Sequence, residues 1–168
     1  MKPEDFASNE PAFALEDFFA GKGKAWGLFQ DRFGKVRKQF VADTHGTWDP
    51  VENKLALTES FVYDDGSQEA RTWHIRKLDN GYYQADTDDL VGAAEIEAAG
   101  NAVNLRYRMK VPINGKSVAL DFDDWMFRQS DDMVIDRAIV TKWGVQIGTL
   151  IISFQRTAAQ SGGQQAAE

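Results

Sequence analysis

The sequence predicts an all-β protein, a single antiparallel β-barrel of about eight to ten strands with a short N-terminal helix. Two observations carry the prediction. Turn chemistry recurs at short intervals: Phe33-Gly34, Asp49-Pro50, Asp64-Asp65-Gly66, Asp79-Asn80-Gly81, Gly100-Asn101 and Asn114-Gly115. Between these signals run segments of strand length, alternating with period two and rich in β-branched and aromatic residues. That pattern suits a sandwich or a barrel, and the short helix fits the end of a barrel. Size agrees: a chain of 168 residues removes roughly 70% of its unfolded surface on folding, enough for one core without staples.

Taken in order, residues 1–12 carry Pro3 and Pro11 and read as a polar lead-in. Leu15-Glu16-Asp17-Phe18-Phe19, ended by Gly21, reads as the one helix, short enough to plug a barrel. Strands are expected near 24–32, 35–48, 54–63, 67–78, 82–89, 102–111, 116–128, 133–142 and 147–156. Residues 93–99 suit a short strand or a helical turn. The barrel domain spans 13–157. From Ala158 the composition turns to Ala, Gln, Ser and Gly, a tail of residues 158–168 with nothing to bury and expected to be disordered.

Hairpin registers follow from loop chemistry, because a one-residue slip sends every side chain to the other face. A three-residue Asp64-Asp65-Gly66 loop sets Leu57 opposite Trp73, Leu55 opposite Ile75 and Glu59 opposite Arg71. A three-residue Asp79-Asn80-Gly81 loop then sets Ile75 opposite Ala85 and brings Arg71 to Asp89. Asn114-Gly115 as a type I′ turn pairs Met109 with Leu120, Tyr107 with Phe122 and Leu105 with Asp124. The next turn lacks glycine. A four-residue loop of 129–132 sets Met126 against Ile135 and Asp124 against Arg137.

These registers put Glu59, Arg71, Asp89, Asp124 and Arg137 on the inward face, with Trp73 and Tyr107 beside them. A buried charge must be paired, since an isolated one costs several kcal/mol even after relaxation. One reading is therefore structural: Arg71 compensated by Glu59 and Asp89, within salt-bridge reach, and Arg137 by Asp124. The other reading is a cavity whose polar groups orient a ligand. Three acids against two arginines leave no spare positive charge for an anion. Asp123-Asp124 and Asp88-Asp89 are poor catalytic pairs, because neighbouring strand residues point to opposite faces. His45 and His74 lie on different strands without a third ligand, so no metal set is read. No phosphate loop, nucleophile elbow or cofactor motif is present. The five tryptophans read as packing residues.

Composition narrows the function. Lys and Arg number 19 against 26 Asp and Glu, for a net charge of −7 and a pI near 4.9. That balance argues against nucleic acid as a partner and against attraction to anionic lipid headgroups. The absence of Cys removes disulfides and thiolate chemistry. No apolar run reaches the length of a transmembrane helix. Without an apolar leader, a start at Met1 is expected to be cytoplasmic if that start is the natural one.

One further signal comes from motifs. Phe18-Phe19-x-Gly21 is followed by Ala25-Trp26-Gly27-Leu28-x-Gln30-Asp31-Arg32, Gly46-Thr47-Trp48 and Arg71-x-Trp73. Then come Asp88-Asp89-x-x-Gly92-x-Ala94, Gly100-Asn101-Ala102, Asp123-Asp124-Trp125-Met126 and Lys142-x-Gly144. In this order, over nearly all of 4–156, the chain resembles an uncharacterised bacterial family, domain of unknown function 3833. Leu105 stands where an aromatic is more usual. The resemblance implies a lipocalin-like (calycin-like) barrel, and it implies no catalytic residues. Many family members are lipoproteins, which gives a periplasmic or outer-membrane location as the alternative.

The expected function is binding of a small apolar or amphipathic molecule, such as a fatty acid or modified lipid. Glu59, Arg71, Trp73, Asp89, Tyr107, Asp124 and Arg137 are the candidate ligand-binding set. The alternatives are an enzyme acting on such a lipid through its interior acids and arginines, and an accessory protein with a filled barrel.

Overall fold

The computed structural model describes residues 1–157; the expected disordered tail lies outside the described residues. A 3-10 turn at Pro3–Phe6 and a helix α1 (Leu15–Phe19) precede ten strands. These are β1 (Gly21–Asp31), β2 (Val36–Asp49), β3 (Lys54–Tyr63), β4 (Gln68–Lys77) and β5 (Tyr82–Asp86). They continue as β6 (Ala94–Ala99), β7 (Ala102–Ile113), β8 (Lys116–Arg128), β9 (Met133–Lys142) and β10 (Val145–Arg156). Every strand pairs antiparallel with its neighbours in sequence, and β1 closes on β10. The result is an up-and-down barrel with no free edge.

The ambiguous stretch at 93–99 is a strand, β6. Conversely β5 stops at Asp86, three residues earlier than expected. The Thr87 hydroxyl donates to Thr72 O at 2.8 Å and Arg71 donates to Asp88 O at 2.5 Å, which draws this stretch off the ladder. Asp89 sits beyond, in a left-handed conformation (φ 66°).

Most registers agree with the turn argument. Leu57 faces Trp73, Leu55 faces Ile75, Glu59 faces Arg71, and Ile75 faces Ala85. Met109 faces Leu120, Tyr107 faces Phe122, and Leu105 faces Asp124. The β8–β9 hairpin departs by one residue: Met126 faces Asp136 and Asp124 faces Ala138. Its turn closes where Gln129 N donates to Met133 O at 2.8 Å, leaving residues 130–132 as the loop rather than four residues. The slip inverts β9, so Arg137 is exposed on the outer wall and Asp136 is buried inside.

One end is sealed by the chain before β1. Within α1, Leu15, Phe18 and Phe19 occupy one stripe at helical spacing, and all are buried together with Phe13. Phe18 meets Phe19 edge-on at 5.0 Å, and Phe19 meets Phe154 at 5.3 Å. Phe13 N donates to Gly100 O at 2.8 Å, and Leu15 N to the Tyr83 hydroxyl at 3.3 Å. The lead-in is not merely polar: Pro3 is buried, and the Phe6 ring packs on Trp125 at 5.9 Å and Phe127 at 5.1 Å. That cover explains why Trp125, an outward residue of β8, is buried.

Gly46 is where the plug sits closest. A Cβ there would fall 1.8 Å from Phe19 O, so a side chain must displace α1 or β2. Gly46→Ala is expected to cost about 2 kcal/mol, on the scale of overpacking a tight contact. A urea denaturation midpoint within error of wild type would show that α1 seats elsewhere.

Candidate functional site: the open end and the interior carboxyl groups

The inward side chains that keep some exposure are concentrated at one end. Around the plug, Leu55, Ile75, Tyr83, Ile96, Val103, Val134 and Phe154 are all buried. At the other end, the inward Phe61, Tyr63, Tyr107, Phe122 and Leu150 are only half-buried, although Phe40, Met109, Leu120 and Val140 beside them are buried. Strand alternation places their rings inside the wall, so their residual exposure is through the mouth of the barrel. The Tyr107 ring stacks on Phe122 at 4.9 Å with planes 6° apart, and Trp73 meets it edge-on at 5.4 Å. Phe40 touches Phe61 at 5.3 Å and Tyr63 at 5.8 Å. The mouth is aromatic.

Beneath it lie three buried carboxyl groups: Glu59 on β3, Asp124 on β8 and Asp136 on β9. Burial pushes the Glu59 pKa up to about 7; the Arg71 guanidinium and a hydrogen bond with the Trp73 side chain pull it down, and Asp124 adds to the rise. Burial likewise raises Asp124 to about 6, against a hydrogen bond between its carboxyl group and that of Asp136. Asp136 is held well above the carboxylate range, first by burial and then by the charge of Asp124. Two like charges this close cannot both ionise cheaply, so the pair shares a proton. Oδ1 of each has no hydrogen-bond donor among the described residues. Burial, with the nearby acids adding, also lifts the Tyr107 phenol well above its ordinary range.

Arg71 takes a different role from the expected one. It faces Glu59 across the ladder, yet its guanidinium turns to the rim. There it donates to Asp88 O and to the Thr87 hydroxyl at 3.3 Å, and lies 3.7 Å from both Glu69 and Asp89. Among the described residues Glu59 and Arg71 form no ion pair. Asp89 is exposed at the rim as the partner of Arg71, outside the interior. Arg137 cannot compensate Asp124, because it is on the outer wall.

Of the seven expected residues, Glu59, Trp73, Tyr107 and Asp124 meet in the interior, Arg71 and Asp89 meet at the rim, and Arg137 belongs to neither. Asp136 was missed, as were Glu69, Phe61 and Tyr63. The alternation of β3 already carried Phe61 and Tyr63 to the inward face, whereas no sequence signal pointed to Asp136. His45 and His74 are exposed on the outer wall, and no cluster of His, Asp or Glu among the described residues has the geometry to hold a metal. A shallow depression of about 430 Å³, bordered by Lys22, Asp43, His45 and Ser60, is also on that outer wall, across the sheet from the interior acids.

Comparison with known proteins returns a family and a fold. A family model described as a protein of unknown function (DUF3833) matches residues 1–156. Among solved structures, the S-type phycobiliprotein lyase CPES from Guillardia theta is similar at a TM-score of 0.62 and 11% identity, over 88% of this chain and 95% of that one. A protein of unknown function from the DUF3598 family of Nostoc punctiforme PCC 73102 is similar at a TM-score of 0.59 and 11% identity. That alignment covers 89% of this chain and 51% of the other, so this chain spans about half its length. No curated protein matches the sequence. At such identity the likeness is one of fold, a lipocalin-like barrel.

Proposed function

We propose that this chain, which belongs to the DUF3833 family of proteins of unknown function, binds a small apolar or amphipathic molecule through the open end of its barrel. The single observation that carries the reading is the asymmetry of the two ends: one plugged by four buried aromatic and aliphatic residues of the N-terminal segment, the other lined by inward rings still in contact with solvent. Ring surface left wet forfeits roughly 25 cal/mol per Å² of burial. A ligand with an apolar body recovers it. The phycobiliprotein lyase and this chain share a fold, and a barrel of about this size holds one small ligand or fills with side chains.

The interior chemistry limits how a fatty acid can sit. The three carboxyl groups below the mouth offer a carboxylate head no cation and repel it where they are ionised, and the nearest cation, Arg71, is at the rim. The carboxylate end therefore belongs at the mouth beside Arg71, where a guanidinium suits a carboxylate. Titration with palmitate is expected to change tryptophan emission saturably, chiefly through Trp73. Replacing both Tyr107 and Phe122 by Ala is expected to weaken that binding by about tenfold, the loss of two aromatic contacts. Native mass spectrometry of gently purified protein is expected to show a bound small molecule. Unchanged emission together with a ligand-free spectrum would make this a filled barrel and end the proposal.

The proton-sharing Asp124–Asp136 pair and Glu59, with its pKa near 7, favour a second reading, acid–base catalysis on the bound molecule. Its test is whether a co-purified molecule is chemically altered on incubation with wild type and left intact by Glu59→Gln.

A further inference from the structure

We infer that one sector of the open rim docks this barrel, mouth first, on an anionic lipid surface. The inference rests on surface residues and does not require the binding reading above. The β9–β10 turn consists of Trp143 and Gly144, both at positive φ (51° and 77°). A turn of this kind favours Asn-Gly, because a bulky side chain is strained in the left-handed region. The neighbouring β7–β8 turn follows the rule, with Asn114 and Gly115 at 49° and 75°. The Trp143 ring is 89% exposed, and at the β1–β2 tip Phe33 is 79% exposed. A strained position filled by an exposed tryptophan contributes nothing visible to the fold. Strain of that kind points to function.

These tips are neighbours. β1 pairs with both β2 and β10, and Arg32 N donates to Ile147 O at 3.1 Å. The β7–β8 tip follows next around the rim, with Ile113 partly exposed. Basic side chains surround the apolar ones: Arg32, Lys35 and Lys38 on the first hairpin, Lys142 on the second, Lys110 and Lys116 on the third. The Arg32 guanidinium lies 4.7 Å above the Phe33 ring and the Lys142 ammonium 4.5 Å above Trp143. The acid nearest the tip of the first hairpin, Asp31, is held by Arg37 at 2.6 Å. Across the mouth the rim is acidic, with Asp64, Asp65 and Glu69 from β3–β4 and Asp88 and Asp89 after β5.

In a chain of net charge −7, this sector runs against the overall sign. Tryptophan favours the headgroup level of a bilayer, and Lys and Arg around it meet anionic lipid. The acidic half faces away, so the barrel is tilted with its basic side down. The charge balance of the whole chain argued against this partner; its distribution argues for it.

The test uses vesicles of phosphatidylcholine with about 30% phosphatidylglycerol, and vesicles of phosphatidylcholine alone. Wild type is expected to float with the first and not the second, with a blue shift and quenching by brominated lipid that Trp143→Asn removes. That variant places the preferred residue in the turn, so its melting temperature should equal or exceed that of wild type while its vesicle affinity drops about tenfold. Wild type that ignores anionic vesicles, binds both kinds equally, or binds as well with Asn at this position overturns the inference, and the sector would then be a protein contact.

Discussion

Arg128→Met is expected to lower the unfolding free energy by about 3 kcal/mol, the scale of losing several hydrogen bonds made by one buried guanidinium. Arg128 ends β8 and is only 5% exposed. Its Nη1 donates to Asp17 Oδ2 at 2.8 Å and to Ala12 O at 3.0 Å. Its Nε donates to Ser130 O at 3.2 Å and its Nη2 to Asp131 O at 3.0 Å. The guanidinium also sits 5.6 Å above the Phe18 ring. One side chain thus ties the plug to the β8–β9 turn. Methionine keeps the apolar stem but supplies no donor, so three carbonyl groups and a carboxylate lose their partner. Urea denaturation should show a lower midpoint at an unchanged slope, and the amides of Phe18 and Phe19 should exchange faster. Arg137→Met is the control: it removes an exposed cation and should stay within about 0.5 kcal/mol of wild type. Equal costs for the two variants would contradict the register of β9.

That register shows where sequence reasoning stops. The β3–β4 and β7–β8 hairpins were legible because turn and pattern agree. Gly66 takes a φ of 84° and Asn114-Gly115 takes 49° and 75°, as their loop types require. The strands they join are apolar on one face only. β9 is different. Met133, Ile135 and Ile139 lie on one face and Val134, Ala138 and Val140 on the other, so both parities look like a core. The loop has no glycine to choose between them. The deciding contacts come from Arg128, which grips the carbonyls of residues 130 and 131 while holding Asp17, 111 residues away in sequence. Non-local contacts of that kind leave no local pattern, and with them Asp136 was hidden.

Elsewhere alternation revealed direction but not partner. Glu59 and Arg71 do face each other, yet a guanidinium on a long stem chooses among every acceptor within reach. The rim offered Glu69, Asp89 and a backbone carbonyl, all less costly to reach than a buried carboxylate. The lead-in was misread for a similar reason. Phe6 is a lone apolar residue among polar ones, and its worth depends on Trp125 and Phe127 far along the chain.

The interior carboxyl groups make stability fall as pH rises from about 5 to about 8, the reverse of what paired surface acids do. Burial raises Glu59 from 4.5 to about 7 and Asp124 from 3.8 to about 6, and it raises Asp136 as well. Over this window the folded chain keeps protons that the unfolded chain has released. The folded state then binds more protons, so the slope of unfolding free energy against pH is negative. The contribution is fully present below the unfolded values and is lost as pH passes the folded ones. For Glu59 alone the shift corresponds to about 3 kcal/mol. The Asp124–Asp136 pair acts in the same direction and gives up its protons in coupled steps. Opposite in sign are Glu16, where partial burial is outweighed by Lys77, a backbone hydrogen bond and Tyr83 together, and the exposed Asp31 and Asp65, held low by Arg37 and by Ser67. Their stabilisation disappears only at more acidic pH, so the optimum is expected near pH 5, low for an ordinary domain. Asp136→Asn removes one ionisable member while its amide can still donate to Asp124. At about pH 8 this variant is expected to be more stable than wild type by about 2 kcal/mol, with the advantage shrinking toward pH 5. Melting temperatures measured across that range decide it. A wild-type curve that is flat or climbing would mean that the three carboxyl groups are solvated or already paired, and an Asn variant weakened equally at both ends would mean that the Asp124–Asp136 contact stabilises the barrel rather than straining it.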